Sequence, residues 1–255
     1  MKQNCTDSLI KLIIILLCLV QFSWAFSNFT NTAFNLKEGQ YQVGIFSPLD
    51  YGYSDSLQLS THPLLFFVMP NFDVKWLHSG FEGWQWASEH RFFAPTYLLR
   101  VLTREGTGGI ISPEFDIPQM VAFYNGLVFS KQLHSGQIIS LKTGFQLAVK
   151  SSKLDNRTTI DLPFVYPRMK VFYSGYRINA GGNFIGKLTE AWGYDFSLDL
   201  FWAEEMALEN TGFVNWNSQG KTQIRLGYFL SYAQFPFGEQ AHLLFPLLDV
   251  VWKFE

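Results

Sequence analysis

The chain has 255 residues, of which 18% are aromatic and only 16% charged. Disordered chains are charge-rich and aromatic-poor, so intrinsic disorder is excluded. Lys and Arg number 19 against 21 Asp and Glu, with no basic run, so no nucleic-acid partner is expected. The mean hydropathy of +0.06 is high for a charged soluble domain and low for a bundle of membrane helices.

Residues 1–25 read as a cleaved signal peptide. Lys2 and Lys11 precede an apolar stretch from Leu12 to Val20, and Ser23-Trp24-Ala25 offers small residues at the −3 and −1 positions of a cleavage site. Nine apolar residues fall well short of the roughly 20 that a spanning helix needs. Both cysteines, Cys5 and Cys18, lie in this segment. The mature chain, 26–255, is therefore expected to hold no disulfide and no thiolate metal site.

The mature chain alternates with period two. In 192–202, Trp192, Tyr194, Phe196, Leu198, Leu200 and Trp202 share one face, and Gly193, Asp195, Ser197 and Asp199 the other. In 222–234, Ile224, Leu226, Tyr228, Leu230 and Tyr232 alternate with Gln223, Arg225, Gly227 and Ser231. Ile139, Leu141, Phe145, Leu147 and Val149 alternate with Ser140, Lys142, Gly144, Gln146 and Lys150. The last segment sets Leu248, Val250, Trp252 and Phe254 against Asp249 and Lys253. Such segments are longer than the five or six residues usual for a soluble strand. A closed sheet with an apolar outside, aromatic girdles and a polar lumen accounts for both features.

The reading is therefore an all-β, closed antiparallel transmembrane β-barrel. Strands are expected at 40–48, 56–62, 71–78, 84–93, 118–131, 137–150, 166–181, 187–203, 207–217, 221–235 and 244–254. Short links fall at 49–55, 79–83, 132–136, 182–186 and 218–220, and long ones at 94–117 and 151–165. Short turns belong to the periplasmic rim, and bacterial barrels have even strand numbers. That parity calls for an additional strand at 29–36, giving about twelve. The apolar stretches 63–70 and 96–104 leave ten to fourteen open.

Asn31-Thr32-Ala33, Leu36 and Gly39 resemble the start of small Gram-negative barrels, among them outer-membrane proteins associated with aromatic-compound degradation clusters. Gly44-Ile45-Phe46 with Pro48, Tyr51-Gly52, Asp55-Ser56-Leu57 and Leu59-Ser60-Thr61-His62-Pro63 resemble a family of bacterial outer-membrane β-barrels of uncharacterised function. The likeness recurs at Val165-Tyr166-Pro167-Arg168, at Tyr232 to Gly238 and at Leu247-Leu248-Asp249. It implies the fold and the outer membrane of a Gram-negative bacterium, and no reaction. The strand ending at Phe254 is similar to the signal that the barrel assembly machinery reads, with Glu255 as a departure.

Asp73, Lys75, Lys142, Arg177, Asp195, Asp199, Arg225, Asp249 and Lys253 are expected to line the lumen. Their mixed signs suit an ion-pair network better than a single-sign selectivity ring. Trp192, Tyr194, Phe196, Trp202, Tyr228, Tyr232, Trp252 and Phe254 are expected on the lipid face and its girdles. Ser60 and His62 share a strand face, a conceivable but weak dyad with no orienting third residue. Glu204, Glu205 and Glu209 form a loop cluster that could bridge lipopolysaccharide through cations, or simply be solvated. Arg168 is placed at the rim, toward lipid phosphates. No catalytic residue, metal ligand or cofactor is assigned. The partners expected are the lipid bilayer and lipopolysaccharide. The function expected is a narrow passive channel for small solutes or a structural barrel. An outer-membrane enzyme acting on lipid or lipopolysaccharide, and a soluble periplasmic β-sheet binding protein, are the alternatives.

Overall fold

The computed structural model describes residues 32–103, 111–218 and 221–255. The expected signal segment and residues 29–31 lie outside them. Twelve strands follow in chain order: β1 (Tyr41–Gly44), β2 (Leu49–Ser54), β3 (Leu57–Thr61), β4 (Asn71–Phe81), β5 (Trp84–Phe93), β6 (Met120–Gln132), β7 (Ile138–Lys150), β8 (Tyr176–Lys187), β9 (Trp192–Trp202), β10 (Met206–Ser218), β11 (Thr222–Phe235) and β12 (Gly238–Phe254). Each pairs antiparallel with its chain neighbours, and β1 closes on β12 with Tyr41 opposite Phe254 and Val43 opposite Trp252. Two short helices, α1 (Thr96–Leu102) and α2 (Tyr166–Ser174), sit in the two longest links. Among the described residues no helix is long and apolar enough to cross a membrane.

The two faces of the wall are reversed relative to a soluble protein. Along β9, Asp195, Ser197 and Asp199 are buried while Phe196, Leu198 and Trp202 are exposed. Along β7, Ser140, Lys142 and Gln146 are buried while Leu141, Phe145 and Val149 are exposed. Because successive side chains point to opposite faces, the apolar set lies outside and the polar set inside. A soluble sandwich would bury the apolar set.

The strand total matches the sequence reading, but its members differ. The expected strand at 29–36 is not in the wall: described residues 32–36 lie inside the barrel. The twelfth strand comes instead from 49–55, read as a link and observed as β2. The expected strand at 40–48 divides into β1 and the link 45–48. Asp249 on β12 makes that break, accepting the Phe46 amide at 3.0 Å and the Ser47 hydroxyl at 2.5 Å.

The second correction concerns 166–181. Its first half is α2, and β8 runs through the expected turn at 182–186 to end at Lys187. Pro167 occupies the first turn of α2, where its missing N–H has no intrahelical partner to lose. Gly175 (φ 87°) closes the helix in the left-handed conformation, its N–H bonding to Val171.

Both β1 and β12 meet one rim, where the links are short: 55–56, 82–83, 133–137 and 188–191. The opposite rim carries the links 62–70, 94–119 and 151–175. Their apolar residues fold into the mouth. Leu65, Met69, Leu99 of α1, Leu162 and Met169 of α2 pack with Phe93, Met120 and Ala122 of the wall. Phe93 and Phe172 meet edge to face at 5.7 Å between ring centres. This lid gives the barrel an apolar core at that end.

Candidate functional site: the barrel interior

Residues 32–36 enter from the short-turn rim. They add no strand, so their backbone polar groups need other partners. Wall side chains supply them. Ser130 Oγ accepts the Ala33 amide at 2.8 Å, and Gln58 Oε1 accepts the Leu36 amide at 3.0 Å. Lys75 Nζ donates to the Phe34 carbonyl at 2.7 Å and the Thr32 carbonyl at 3.3 Å. Ala33 is fully buried against Ala87 and Val128. The segment leaves past Gly52, where a Cβ would come within 2.1 Å of the Lys37 carbonyl. Only glycine admits so close a backbone.

Above this segment lies a band of paired charges. Arg91 Nε bonds Asp73 at 2.7 Å, Lys142 reaches Asp199 at 2.8 Å, and Arg225 reaches Asp195 at 3.2 Å. Ser60 Oγ and Gln42 Nε2 donate to Asp50 at 2.5 and 2.8 Å. Asn183 donates to Asp195 at 2.7 Å. Higher still, Arg168 of α2 makes a bidentate pair with Glu209, 2.7 Å on each arm, with both side chains almost wholly buried. Lys170 of α2 pairs with Glu205. Arg177 lies over the Phe201 ring at 4.5 Å and donates to the Arg168 carbonyl at 3.4 Å. The roof is thus tied to the wall by charge-assisted bonds, which are the stronger class.

Between floor and roof remains a cavity of about 370 Å³. Thr32, Phe34, Asn35 and Leu36 line it, together with Asp50, Asp195, Asp199, Glu209 and Arg225 of the wall. Its charged lining is Asp50, Asp73, Asp195, Asp199 and Glu209 with Lys75 and Arg225. Both polar atoms of the Asn35 side chain are buried without a hydrogen-bonding partner. A polar group in that state carries a desolvation cost until something bonds it.

The sequence-derived residues divide as follows. Asp73, Lys75, Lys142, Arg177, Asp195, Asp199, Arg225 and Asp249 point inward, and Lys253 is exposed at the short-turn rim. Trp192, Phe196, Trp202, Tyr232, Trp252 and Phe254 are exposed on the outer face, with Tyr194 and Tyr228 half-buried there. Ser60 gives its hydroxyl to Asp50 rather than to His62. His62 is buried beneath the lid, and burial lowers its pKa to about 4, with the Arg91 charge adding to the effect. Glu205 and Glu209 hold α2 and do not form an exposed cluster; Glu204 alone stays exposed. Arg168 is enclosed in the barrel and not at its rim, because α2 turns it inward onto Glu209.

Sequence reasoning missed the interior segment 32–36 and the helix that carries Arg168. The helix had a signal: Pro167 and Gly175 bracket it at start and stop spacing. The segment 32–36 had none, since its partners lie on β3, β4 and β6.

No protein family matches the chain, and no curated protein matches its sequence. Among solved structures, an outer membrane channel from Pseudomonas putida F1 is similar, with a TM-score of 0.47 and 8% sequence identity, over 87% of this chain and 98% of that chain.

Proposed function

We propose that the chain is an integral outer-membrane β-barrel that forms a narrow passage for small polar solutes, closed by residues 32–36. The apolar exterior and polar interior support the membrane placement. A closed sheet satisfies its own backbone, which is the condition for a β-structure to stand in lipid. The outward aromatics fit the two interfacial girdles, and the short turns fit a periplasmic rim. On that orientation the lid of α1 and α2 faces the exterior.

The single observation that carries the passage is the way the floor is held. Residues 32–36 lie across the interior on four hydrogen bonds, one to Ser130, one to Gln58 and two from Lys75, without strand pairing. Four such bonds are individually worth about 1 kcal/mol, somewhat more where Lys75 is the donor. Withdrawal of the segment leaves the barrel wall intact and joins the cavity to the short-turn rim.

The test compares the full chain with a variant lacking residues 26–38, both refolded and checked by heat-modifiable migration in detergent gels. Planar bilayers should show small, infrequent conductance steps for the full chain and larger, sustained steps for the deletion. Silence from both, in bilayers and in liposome swelling, would leave only the structural barrel. Recovery of the folded protein from the periplasm without detergent would overturn the membrane placement.

A further inference from the structure

The outer face carries a polar constellation that a passage does not use. β4 and β5 turn His78 and Ser88 outward, and the ladder sets Trp76 opposite Ser88 and Trp86 opposite His78. His78 Nε2 and Ser88 Oγ lie 2.9 Å apart. The imidazole stacks on Trp86, with ring centres 4.0 Å apart and planes at 21°. Trp76 lies nearly parallel to it at 6.2 Å. Two residues along the same face of β5, His90 Nδ1 donates to Asn125 Oδ1 at 2.8 Å. Just beyond His78 the pairing shifts register before Phe81. Such a bulge leaves a residue outside the ladder.

We infer that Ser88 is a nucleophile for the acyl esters of membrane lipids, with His78 as its base. The inference rests on the membrane placement proposed above. Polar side chains on a lipid-facing surface are costly, and intramembrane ionisable groups call for a functional reading. A serine hydroxyl within hydrogen-bond reach of an imidazole is the minimal activated nucleophile. The Trp86 and Trp76 faces stabilise the imidazolium that forms when His78 takes the proton. Depth agrees with the substrate: Trp76, Trp84 and Trp86 mark an aromatic girdle, which sits at headgroup level. The ester groups of lipids lie beside that level, and water reaches it.

In the reaction Ser88 Oγ bonds to the ester carbonyl carbon while its proton passes to His78 Nε2. The bond from that carbon to the alcohol oxygen then breaks, and His78 returns the proton to the departing alkoxide. Water attacks the acyl-serine and gives its proton to His78. The fatty acid leaves, and Ser88 Oγ recovers the proton. Asn125 accepts from His90 Nδ1, which leaves His90 Nε2 as an acceptor on the same face.

The experiment exposes the full chain, in detergent micelles, to a fluorophosphonate probe and locates the adduct by peptide mass spectrometry. Fatty-acid release is then followed from phosphatidylcholine vesicles and from vesicles containing lipopolysaccharide. The adduct is expected on Ser88 and absent in Ser88→Ala. His78→Gln should slow labelling and release by roughly 100-fold, the scale of general-base catalysis. Release from the first vesicles names a phospholipid source, the lipid of the leaflet at the short-turn rim, and release from the second alone overturns that depth and orientation. Heat-modifiable migration certifies each variant as folded. A folded wild-type barrel with neither adduct nor release overturns the inference. Loss in a His90→Gln variant with His78→Gln still active overturns the choice of base. Fractionation without detergent reports separately on the membrane placement, since micellar labelling does not depend on it.

Discussion

At the residue scale, the interior is held by pairs whose members cannot be separated cheaply. Arg168 and Glu209 are both almost wholly buried and are joined on two arms, Nε and Nη2 to the two carboxylate oxygens. Removing one partner leaves an uncompensated charge, so Glu209→Ala should destabilise the barrel by about 3–5 kcal/mol. Replacing both by Met and Leu should cost much less, and urea titration of the folded band on gels distinguishes the two outcomes. His62 gives a pH prediction. Its folded pKa of about 4 lies below the ordinary value of about 6.5, so the unfolded chain binds a proton first. The stabilising effect of the neutral form is complete above pH 6.5 and is lost as pH falls toward 4. The loss is at most on the order of 3 kcal/mol. His62→Gln should flatten that part of the stability curve, read as the denaturant midpoint at each pH.

At the scale of elements, the floor and the roof behave differently. Residues 32–36 cling to the wall by side-chain bonds, and Gly52 makes room for the Lys37 carbonyl. Gly52→Ala forces that backbone away. Bilayer recordings of Gly52→Ala should therefore show longer open times, with the strand content by circular dichroism unchanged. The roof is built on α2, whose stop at Gly175 requires a positive φ. Gly175→Val places a β-branched residue there, at a cost of roughly 1–2 kcal/mol. Its effect should be loosened loops, read as faster proteolysis of 151–175, before any loss of the wall.

Long strands were easy to read because each repeats its pattern over many residues: β7, β9 and β11 show it in full. The errors came where the pattern is short or interrupted. β1 and β2 have four and six residues, too few for an alternation to declare itself. The 166–181 segment is rich in aromatic and apolar residues on every side, because α2 is enclosed all round. Period could not separate that from a strand, although Pro167 and Gly175 could. Of the interior charges, those on long strands such as Lys142, Asp195 and Asp199 were legible by alternation, while Asp50, Arg91 and Glu209 were not. Partners across the barrel were not legible either, because Arg168 meets Glu209 only through a helix folded back into the mouth.

At the scale of the whole molecule, the contrast between faces makes the membrane reading testable by one substitution. Leu198 stands exposed near the middle of β9. In a bilayer Leu198→Arg should cost about 2–4 kcal/mol, the figure for a cation at the midplane of a barrel. Refolding into lipid vesicles measures it. A cost near zero would mean that the face meets water.

The sequence by itself determined the period, the two opposed faces and hence a closed sheet, because side-chain alternation is a local property of every strand. It also put Lys142 of β7 and Asp195 and Asp199 of β9 on the face that closure turns inward. Only the tertiary structure decided what fills the barrel. That residues 32–36 leave the wall for the interior and that α2 carries Arg168 to Glu209 both depend on contacts between segments remote in the chain. Such contacts follow from closure and register, which no single stretch of sequence records.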